Sequence, residues 1–236
     1  MERLTGFSNL LDLQQVDSLI DKLGHDRRTL PELAEHREAA RVAATTAAAH
    51  SVINDRMRVV ERSTARVEDE LTMTEQRLGE QERRLFAGAL SAREADHLRL
   101  EVGNLGNLVS RMEDELLELL EEREQLDEEE KSARETAVAA SGVERGLADR
   151  VAELQAGIDA SLARYRERRT EIAAVIDPGL LRKYVQLRQR RGGVVVGELD
   201  GRVCTACHLQ MSVAECEEVA ADPIPQCIHC AAILCL

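Results

Sequence analysis

Two long heptad repeats, interrupted at residues 87–91, constrain the fold of this 236-residue chain more than any other feature. The first repeat has small or apolar residues at alternating three- and four-residue steps, with Gln81 filling the position between the last two, at Met57, Val60, Thr64, Val67, Leu71, Thr74, Leu78 and Leu85. The second has them at Leu98, Val102, Leu105, Val109, Met112, Leu116, Leu119 and Leu126, and again at Leu147, Val151, Leu154, Ile158, Leu162, Tyr165 and Ile172. Such spacing predicts two coiled-coil helices. Gly88 permits a reversal between them, and Ser91 with Glu94 forms a capping box that begins the second helix.

The two apolar stripes predict a helical hairpin. An isolated helix would expose its stripe to water, whereas a hairpin buries both stripes against each other. We therefore predict a mainly α fold with a long antiparallel coiled-coil hairpin, its helices at about 32–86 and 92–175. The surplus of the longer second helix is predicted to pair with a short helix at 8–24, which Gly24 ends before a loop at 25–30. Only 2% of the residues are aromatic and 32% are charged, as is typical of coiled coils.

The pattern changes at Asp177-Pro178, which caps and begins a short basic helix, PGLLRKYVQLRQRR, at residues 178–191. Gly192-Gly193 ends this helix, and the valines at 194–196 begin a β segment. Asp200-Gly201 is a two-residue hairpin signal. The predicted domains are therefore residues 1–177, with the N-terminal helix and the hairpin, and residues 178–236, with the basic helix and a small β structure.

All six cysteines lie in the last 33 residues. Cys204 and Cys207 form one C-x₂-C pair, Cys227 and Cys230 form another, and 19 residues separate the pairs. Two residues between cysteines allow a tight turn to direct both sulfurs at one ion, and four thiolates suit tetrahedral Zn²⁺. The spacing predicts a zinc ribbon with one structural zinc, which supplies much of the folding free energy of so small a domain.

Other roles for these cysteines are weaker. A redox dithiol favours a single C-x-x-C in a βαβ setting, and four thiolates leave no coordination position for catalytic water. Cys216 lies in a short helix capped by Ser212 and Glu215, Cys235 lies in the last strand, and packing is the simplest role for both. His208 and His229 flank the pairs and are predicted to be exposed loop residues.

The net charge of −13 and the pI near 5.0 disfavour non-specific binding of nucleic acid by the chain as a whole. Residues 164–191 differ, because nine basic and three acidic residues give them a local balance of +6. Phosphate or an acidic protein surface could bind there, and the candidate residues are Arg182, Lys183, Arg188, Arg190 and Arg191. The alternative, a solvated helix face partly paired with acidic helices, stays open. The region from 192 onward is acidic.

No run of 18 apolar residues suggests a transmembrane helix, and the N-terminus lacks the apolar core of a secretory signal. The expected location is the cytoplasm, where thiols stay reduced and clustered cysteines favour metal binding over disulfides.

The whole layout resembles a bacterial family of coiled-coil proteins with a C4-type zinc ribbon, once described as a domain of unknown function. The resemblance rests on the leucine-rich helix ending near Leu30-Pro31 and on four segments: SAREADHLRLEVGNL, DPGLLRKYVQLRQRRGG, GRVCTACH and QCIHCAAIL. It implies an antiparallel helical hairpin with a zinc ribbon at one end, and the four paired cysteines fall on its ligand positions. Some members are flagellar regulators that bind sigma-54 and flagellin messenger RNA. The Arg-rich, Lys-poor composition resembles the actinobacterial branch, and Ala231 departs from the glycine often found after the last cysteine.

These observations predict a non-enzymatic adaptor that binds transcription machinery, RNA or DNA through the basic helix. The alternative is a structural scaffold that binds proteins through the coiled coil and makes no contact with nucleic acid. An enzyme has no support, because the sequence offers no nucleophile with a base, no phosphate-binding loop and no open metal site. The pattern does not show whether the two apolar stripes pack against each other within one chain or between chains. A monomer is favoured.

Overall fold

A computed structural model describes residues 2–88 and 90–236 of the chain, and its side chains from residue 7 onward apart from residue 89. Long helices dominate, and a small sheet lies near the C-terminus. The elements, in chain order, are α1 (Glu2–Thr29), α2 (Pro31–Phe86), α3 (Ala92–Ala174), α4 (Pro178–Arg191), β1 (Val196–Asp200), β2 (Val203–Cys204), α5 (Val213–Ala221) and β3 (Ile233–Cys235). The predicted fold class is confirmed.

The chain forms two compact units. The hairpin unit comprises residues 35–148, and the ribbon unit comprises residues 1–34 and 149–236. The helices α2 and α3 contribute to both units. The predicted domain boundary between residues 177 and 178 lies within the ribbon unit and remains a prediction.

In the hairpin unit, α2 and α3 run antiparallel. His36 contacts Glu144 at 3.0 Å, and His50 contacts Glu130 at 2.8 Å, so rising residue numbers on α2 meet falling numbers on α3. The two pairs are separated by fourteen residues on α2 and by fourteen residues on α3, so the register of the two helices is the same at both pairs. The predicted stripes close within one chain.

The buried residues of the hairpin unit follow the predicted heptads. Val60, Thr64 and Val67 are buried on α2, and Leu98, Leu105 and Leu126 are buried on α3. Between the two His–Glu pairs, the half-buried positions carry small residues, at Ala39, Ala40, Ala43, Thr46, Ala133, Ala137, Ala140 and Ser141. This section therefore buries less apolar area per turn than the rest of the hairpin unit.

In the ribbon unit, α1 packs against the last turns of α3, as predicted from the surplus length of that helix. Leu10, Leu13 and Val16 of α1 share an apolar core with Ile172 and Ile176. The predicted end of α1 at Gly24 is wrong, because the helix continues to Thr29. Arg27 donates two hydrogen bonds to Asp159, at 2.8 and 3.1 Å, so a contact with α3 favours the helical state beyond the glycine. A helical glycine costs only about 1 kcal/mol relative to alanine.

The small sheet has the strand order β2-β1-β3. β1 pairs antiparallel with β2 through Leu199 and Cys204, and parallel with β3 through Val196 and Ile233. The loop between β1 and β2 consists of residues 201 and 202, one position later than the predicted turn, and Gly201 adopts a φ of 58° there. No helix in the described part of the chain is long and apolar enough to span a membrane.

Candidate metal centre

Two similar turns carry the four paired cysteines. In the first, the N–H of His208 donates to the carbonyl of Cys204 at 2.7 Å; in the second, the N–H of Ala231 donates to the carbonyl of Cys227 at 2.7 Å. His208 and Ala231 are the described non-glycine residues with positive φ, at 60° and 55°. This conformation closes each turn just after its second cysteine, so both sulfurs of a pair point to the same side.

The four sulfurs converge on one point. Their Sγ atoms all lie within 4.8 Å of one another, and the described residues contain no other such group of metal-binding side chains. The Sγ atoms of Cys204 and Cys230 are 3.9 Å apart, and those of Cys207 and Cys227 are 3.8 Å apart. These distances exclude disulfides, whose sulfurs lie about 2.05 Å apart. Four sulfurs at about 2.3 Å from a tetrahedral metal would lie about 3.8 Å from one another, so the cluster fits one metal ion.

The local environments of Cys204, Cys207 and Cys230 shift the pKa of their thiols in different directions. Burial raises the pKa of the Cys204 thiol, and it raises that of Cys230 to about 12. The backbone N–H of Leu209 lowers the pKa of the Cys207 thiol by donating to its sulfur. A bound cation favours the thiolate form of all four, because metal ligands must be deprotonated.

An apolar shell surrounds the cluster. Met211, Val219 and Leu234 are buried against Cys204 and Cys227, and Cys216 is partly buried beside them. The helix α5 begins with the predicted capping box, in which Ser212 and Glu215 bond to each other's backbone N–H. The cap's hydrogen bonds lower the pKa of the Glu215 carboxyl.

The two extra cysteines and the two flanking histidines lie where the sequence predicted. Cys235 is in β3 and packs partly buried against the core that α1 shares with α3. Burial raises the pKa of the Cys235 thiol to about 11. His208 and His229 are exposed, and His229 Nε2 lies 3.4 Å from the Gln210 carbonyl.

A buried glutamine, which sequence patterns did not single out, attaches the sheet to α1. The Oε1 atom of Gln14 accepts hydrogen bonds from the N–H groups of Val195 and Val196, at 2.6 and 2.7 Å. Its Nε2 donates to the Val196 carbonyl at 2.8 Å. The side chain thus satisfies three backbone groups where β1 begins. The only sign of this role in the sequence is that Gln14, a polar residue, lies among the apolar positions of α1.

A second unpredicted feature is the buried carboxylate of Asp17. It accepts hydrogen bonds from Arg169 Nε and from the Tyr184 hydroxyl, both at 2.7 Å, and Arg188 Nε lies 3.7 Å away. Arg188 also pairs with Asp21. Burial, together with the bond to Asp17, raises the pKa of the Tyr184 hydroxyl far above its ordinary value. These groups join α1, α3 and α4 through charge-assisted hydrogen bonds.

The candidate basic residues divide into two groups. The side chain of Arg188 is only 14% exposed and pairs with Asp17 and Asp21 of α1. It is therefore not available to a ligand at the basic surface. Arg182, Arg190 and Arg191 are exposed, Lys183 is half-buried, and none of these four forms an ion pair with a described residue. Exposed Arg164, Arg166 and Arg168 follow on the C-terminal part of α3.

A family model for the CT398-like coiled coil hairpin domain matches residues 13–192. The chain belongs to this family. The resemblance inferred from the sequence is therefore confirmed. The family and the four-cysteine cluster together support a non-enzymatic adaptor that interacts with proteins, and the four cysteines could hold a metal ion.

Relatives of this CT398-like protein match it over nearly its whole length. The uncharacterized protein Rv2229c of Mycobacterium tuberculosis is 29% identical over 239 residues, which cover 96% of this chain and 93% of that protein. A solved structure from Mycobacterium smegmatis has a TM-score of 0.81 at 22% identity and covers 98% of this chain and 97% of its own. The structure of CT398 from Chlamydia trachomatis has a TM-score of 0.75 at 17% identity, and 99% of each chain is covered. These two structures support the fold.

Proposed function

We propose that this protein is an adaptor whose ribbon holds one structural Zn²⁺ and whose α4 surface binds nucleic acid or an acidic protein of the transcription machinery. The observation that carries the second part is the set of cationic side chains on α4 that pair with no described residue. A cytoplasmic location and a monomeric state complete the proposal, because reduced thiols suit a metal cluster and the coiled-coil stripes are already buried within one chain.

Zinc is the proposed metal because all four donors are cysteine sulfurs at tetrahedral spacing. Soft thiolate ligands select zinc over magnesium, calcium and manganese. With four protein ligands the coordination sphere is complete, so the ion would stabilise the ribbon and would not activate water. Metal analysis of protein purified without chelator should find one zinc per chain. A folded ribbon without metal would contradict the assignment.

The α4 surface would bind phosphates by charge. Arg182, Lys183, Arg190 and Arg191 remain available, whereas Arg169 and Arg188 are balanced by Asp17 and Asp21. Tyr184 is completely buried and cannot stack on a base, so the surface favours backbone contacts without sequence preference. Four phosphate contacts on single-stranded RNA would give a plot of log K against log salt with a slope of about −3.

The test compares two charge-reversed variants of the full chain. R190E/R191E should weaken binding to a single-stranded RNA and to a DNA duplex at low salt, and it should reduce the salt slope. The control R83E/R84E reverses the same charge in the last turn of α2. Equal losses in both variants would indicate a general charge effect, and no binding at low salt would exclude nucleic acid as the ligand.

The competing function is a protein scaffold that uses the coiled coil and never contacts nucleic acid. The net charge of −13 favours it, because the chain as a whole repels phosphate. The same titration separates the two functions, since a scaffold would leave RNA and DNA unbound at every salt concentration.

A further inference from the structure

The hairpin unit has an apolar groove between α2 and α3 that its own packing leaves open. The groove has a volume of about 470 Å³, and its apolar lining consists of Val52, Val59, Val60 and Leu119. Val60 belongs to the buried seam, but Val52 and Val59 are 60% and 53% exposed. These two valines are seven residues apart and so lie on one face of α2. Asp55, Arg56, Ser63 and Glu122 form the polar part of the lining. Isolated exposed apolar residues are ordinary, whereas a groove between two helices that groups four apolar side chains is a site where a third helix can pack.

One wall of this groove is acidic. On α3, Glu122 lines the groove, and the spacing of Glu115, Glu118 and Glu129 places them on the same face of the helix as Glu122. Arg56 crosses from α2 and lies 3.7 Å from both Glu122 and Glu129, and all three side chains are about half exposed. Ion pairs at this distance and exposure contribute little to stability. The glutamates of α3 therefore remain available to a cationic partner that binds them more strongly.

The charge of the surrounding section exceeds what Arg56 can balance. Residues 113–130 of α3 contain eleven acidic residues and one basic residue. Residues 50–67, which face them on α2, contain four basic and two acidic residues, so the section has a net charge of −8. Such a surface repels nucleic acid and attracts basic segments.

We propose that this groove binds a basic amphipathic helix from a partner protein. The apolar stripe of that helix would cover Val52 and Val59, and its lysine or arginine side chains would contact the glutamates of α3. A second copy of the hairpin unit would bring the same negative charge and is disfavoured. The basic helix α4 of a second copy does not fit either, because its apolar residues Leu180, Tyr184 and Leu187 are buried in its own ribbon unit.

This surface is independent of the proposed nucleic-acid surface. It lies in the hairpin unit and uses acidic and apolar side chains, whereas the other lies on α4 and uses basic ones. Each surface can therefore fail without affecting the other, and variants of the groove should leave RNA and DNA titrations unchanged.

The first experiment tests the apolar contact with a synthetic helical peptide of leucine and lysine, about five turns long (~18 residues), with leucines on one face. In the full chain, V52S/V59S should weaken binding of this peptide at least about tenfold, or about 1.4 kcal/mol. The control V138S/V143S removes two valines that are 63% and 60% exposed elsewhere on α3, and it should bind normally. Serine and valine have similar helix propensities, so circular dichroism should find both variants folded.

The second experiment tests whether charge acts at the groove itself. E118Q/E122Q should weaken binding of the peptide several-fold and reduce the salt dependence of that binding. E124Q/E128Q removes the same charge from exposed positions facing away from the groove, and it should have a smaller effect. A peptide of the same composition without an amphipathic pattern should bind weakly to the unmodified chain.

Three results would overturn the proposal. One is unchanged binding in V52S/V59S. Another is equal losses in the two glutamine variants, which would indicate general attraction between opposite charges. The third is a dimer in sedimentation that V52S/V59S dissociates, because a second copy would then occupy the groove.

Discussion

The hairpin unit and the ribbon unit reach stability by different means. In the hairpin unit, the buried residues come from a repeated pattern, and many similar side chains each contribute a modest amount. In the ribbon unit, a few specific groups, namely four sulfurs, one glutamine and one aspartate, supplement an apolar core and join separate elements. We therefore expect single substitutions to have larger and more local effects in the ribbon unit. The following experiments can sharpen or break that comparison, from the largest expected effect to the smallest.

Removing one sulfur should have the largest effect. In Cys204→Ser, the proposed zinc ion would lose one of its four ligands, and structural zinc sites of this kind contribute about 10 kcal/mol of folding free energy. Hydrogen exchange should report that amides of residues 192–236 lose protection while the hairpin unit keeps its own. Cys216→Ser, which changes a thiol outside the cluster, should keep both metal and protection. Retained zinc in the Cys204 variant would contradict the four-ligand site.

Removing the buried carboxylate should destabilise the ribbon unit by about 3 kcal/mol. Asp17→Ala leaves the buried Tyr184 hydroxyl and the Arg169 guanidinium without their shared acceptor, and it leaves Arg188 with Asp21 alone. Denaturant unfolding followed at probes in the ribbon unit would measure the loss. Asp12→Ala removes an exposed carboxylate from the same helix and should cost little. Similar losses in the two variants would mean that the Asp17 network contributes no specific stability.

Shortening one buried side chain of the coiled-coil seam tests the stability of the hairpin unit. Leu126 is 1% exposed, so Leu126→Ala should destabilise the hairpin unit by about 2–3 kcal/mol through lost burial and a cavity. Leu117→Ala is the matched control, because Leu117 is 59% exposed and lies on the same helix. Thermal unfolding by circular dichroism would record both. A larger loss for Leu126→Ala than for Asp17→Ala would reverse the expected order of the two units.

A gain of stability is expected in the second cysteine turn. Ala231 has a φ of 55°, which glycine adopts without strain, so Ala231→Gly should stabilise the ribbon by about 1 kcal/mol. Ala220→Gly lies within α5 and should destabilise by a similar amount, because glycine weakens a helix. The midpoint of zinc removal by a competing chelator would measure both. A loss of stability in Ala231→Gly would mean that its methyl group contributes packing that outweighs the strain.

Most of the helical architecture was predictable because its causes are local and repeated. Heptad spacing predicted α2 and α3, Pro178 was correctly taken as a helix start, and Ser212 with Glu215 predicted the start of α5. Gly24 was misleading, since the contact of Arg27 with Asp159, 132 residues further along the chain, favours the helix across that glycine. The turn at Asp200-Gly201 was displaced by one residue, because the pairing of Asp200 with Val203 sets the loop.

The candidate surfaces were less predictable than the elements. Charge counting treated Arg188 as equivalent to Arg190 and Arg191, although the fold directs Arg188 toward Asp17 and Asp21. The open groove beside Val52 and Val59 was not predicted either, because exposure on a helix flank depends on what the neighbouring helix covers.

By itself, the sequence determined the two long coiled-coil helices and the two cysteine pairs. A heptad repeat and a C-x₂-C spacing act over a few residues, so they can be read without knowing the fold. Only the tertiary structure decided that Gln14 holds β1, that Asp17 joins three helices, and which cationic side chains stay free. These contacts link residues up to 182 positions apart, and no local pattern encodes which distant groups the packing of the chain will bring together.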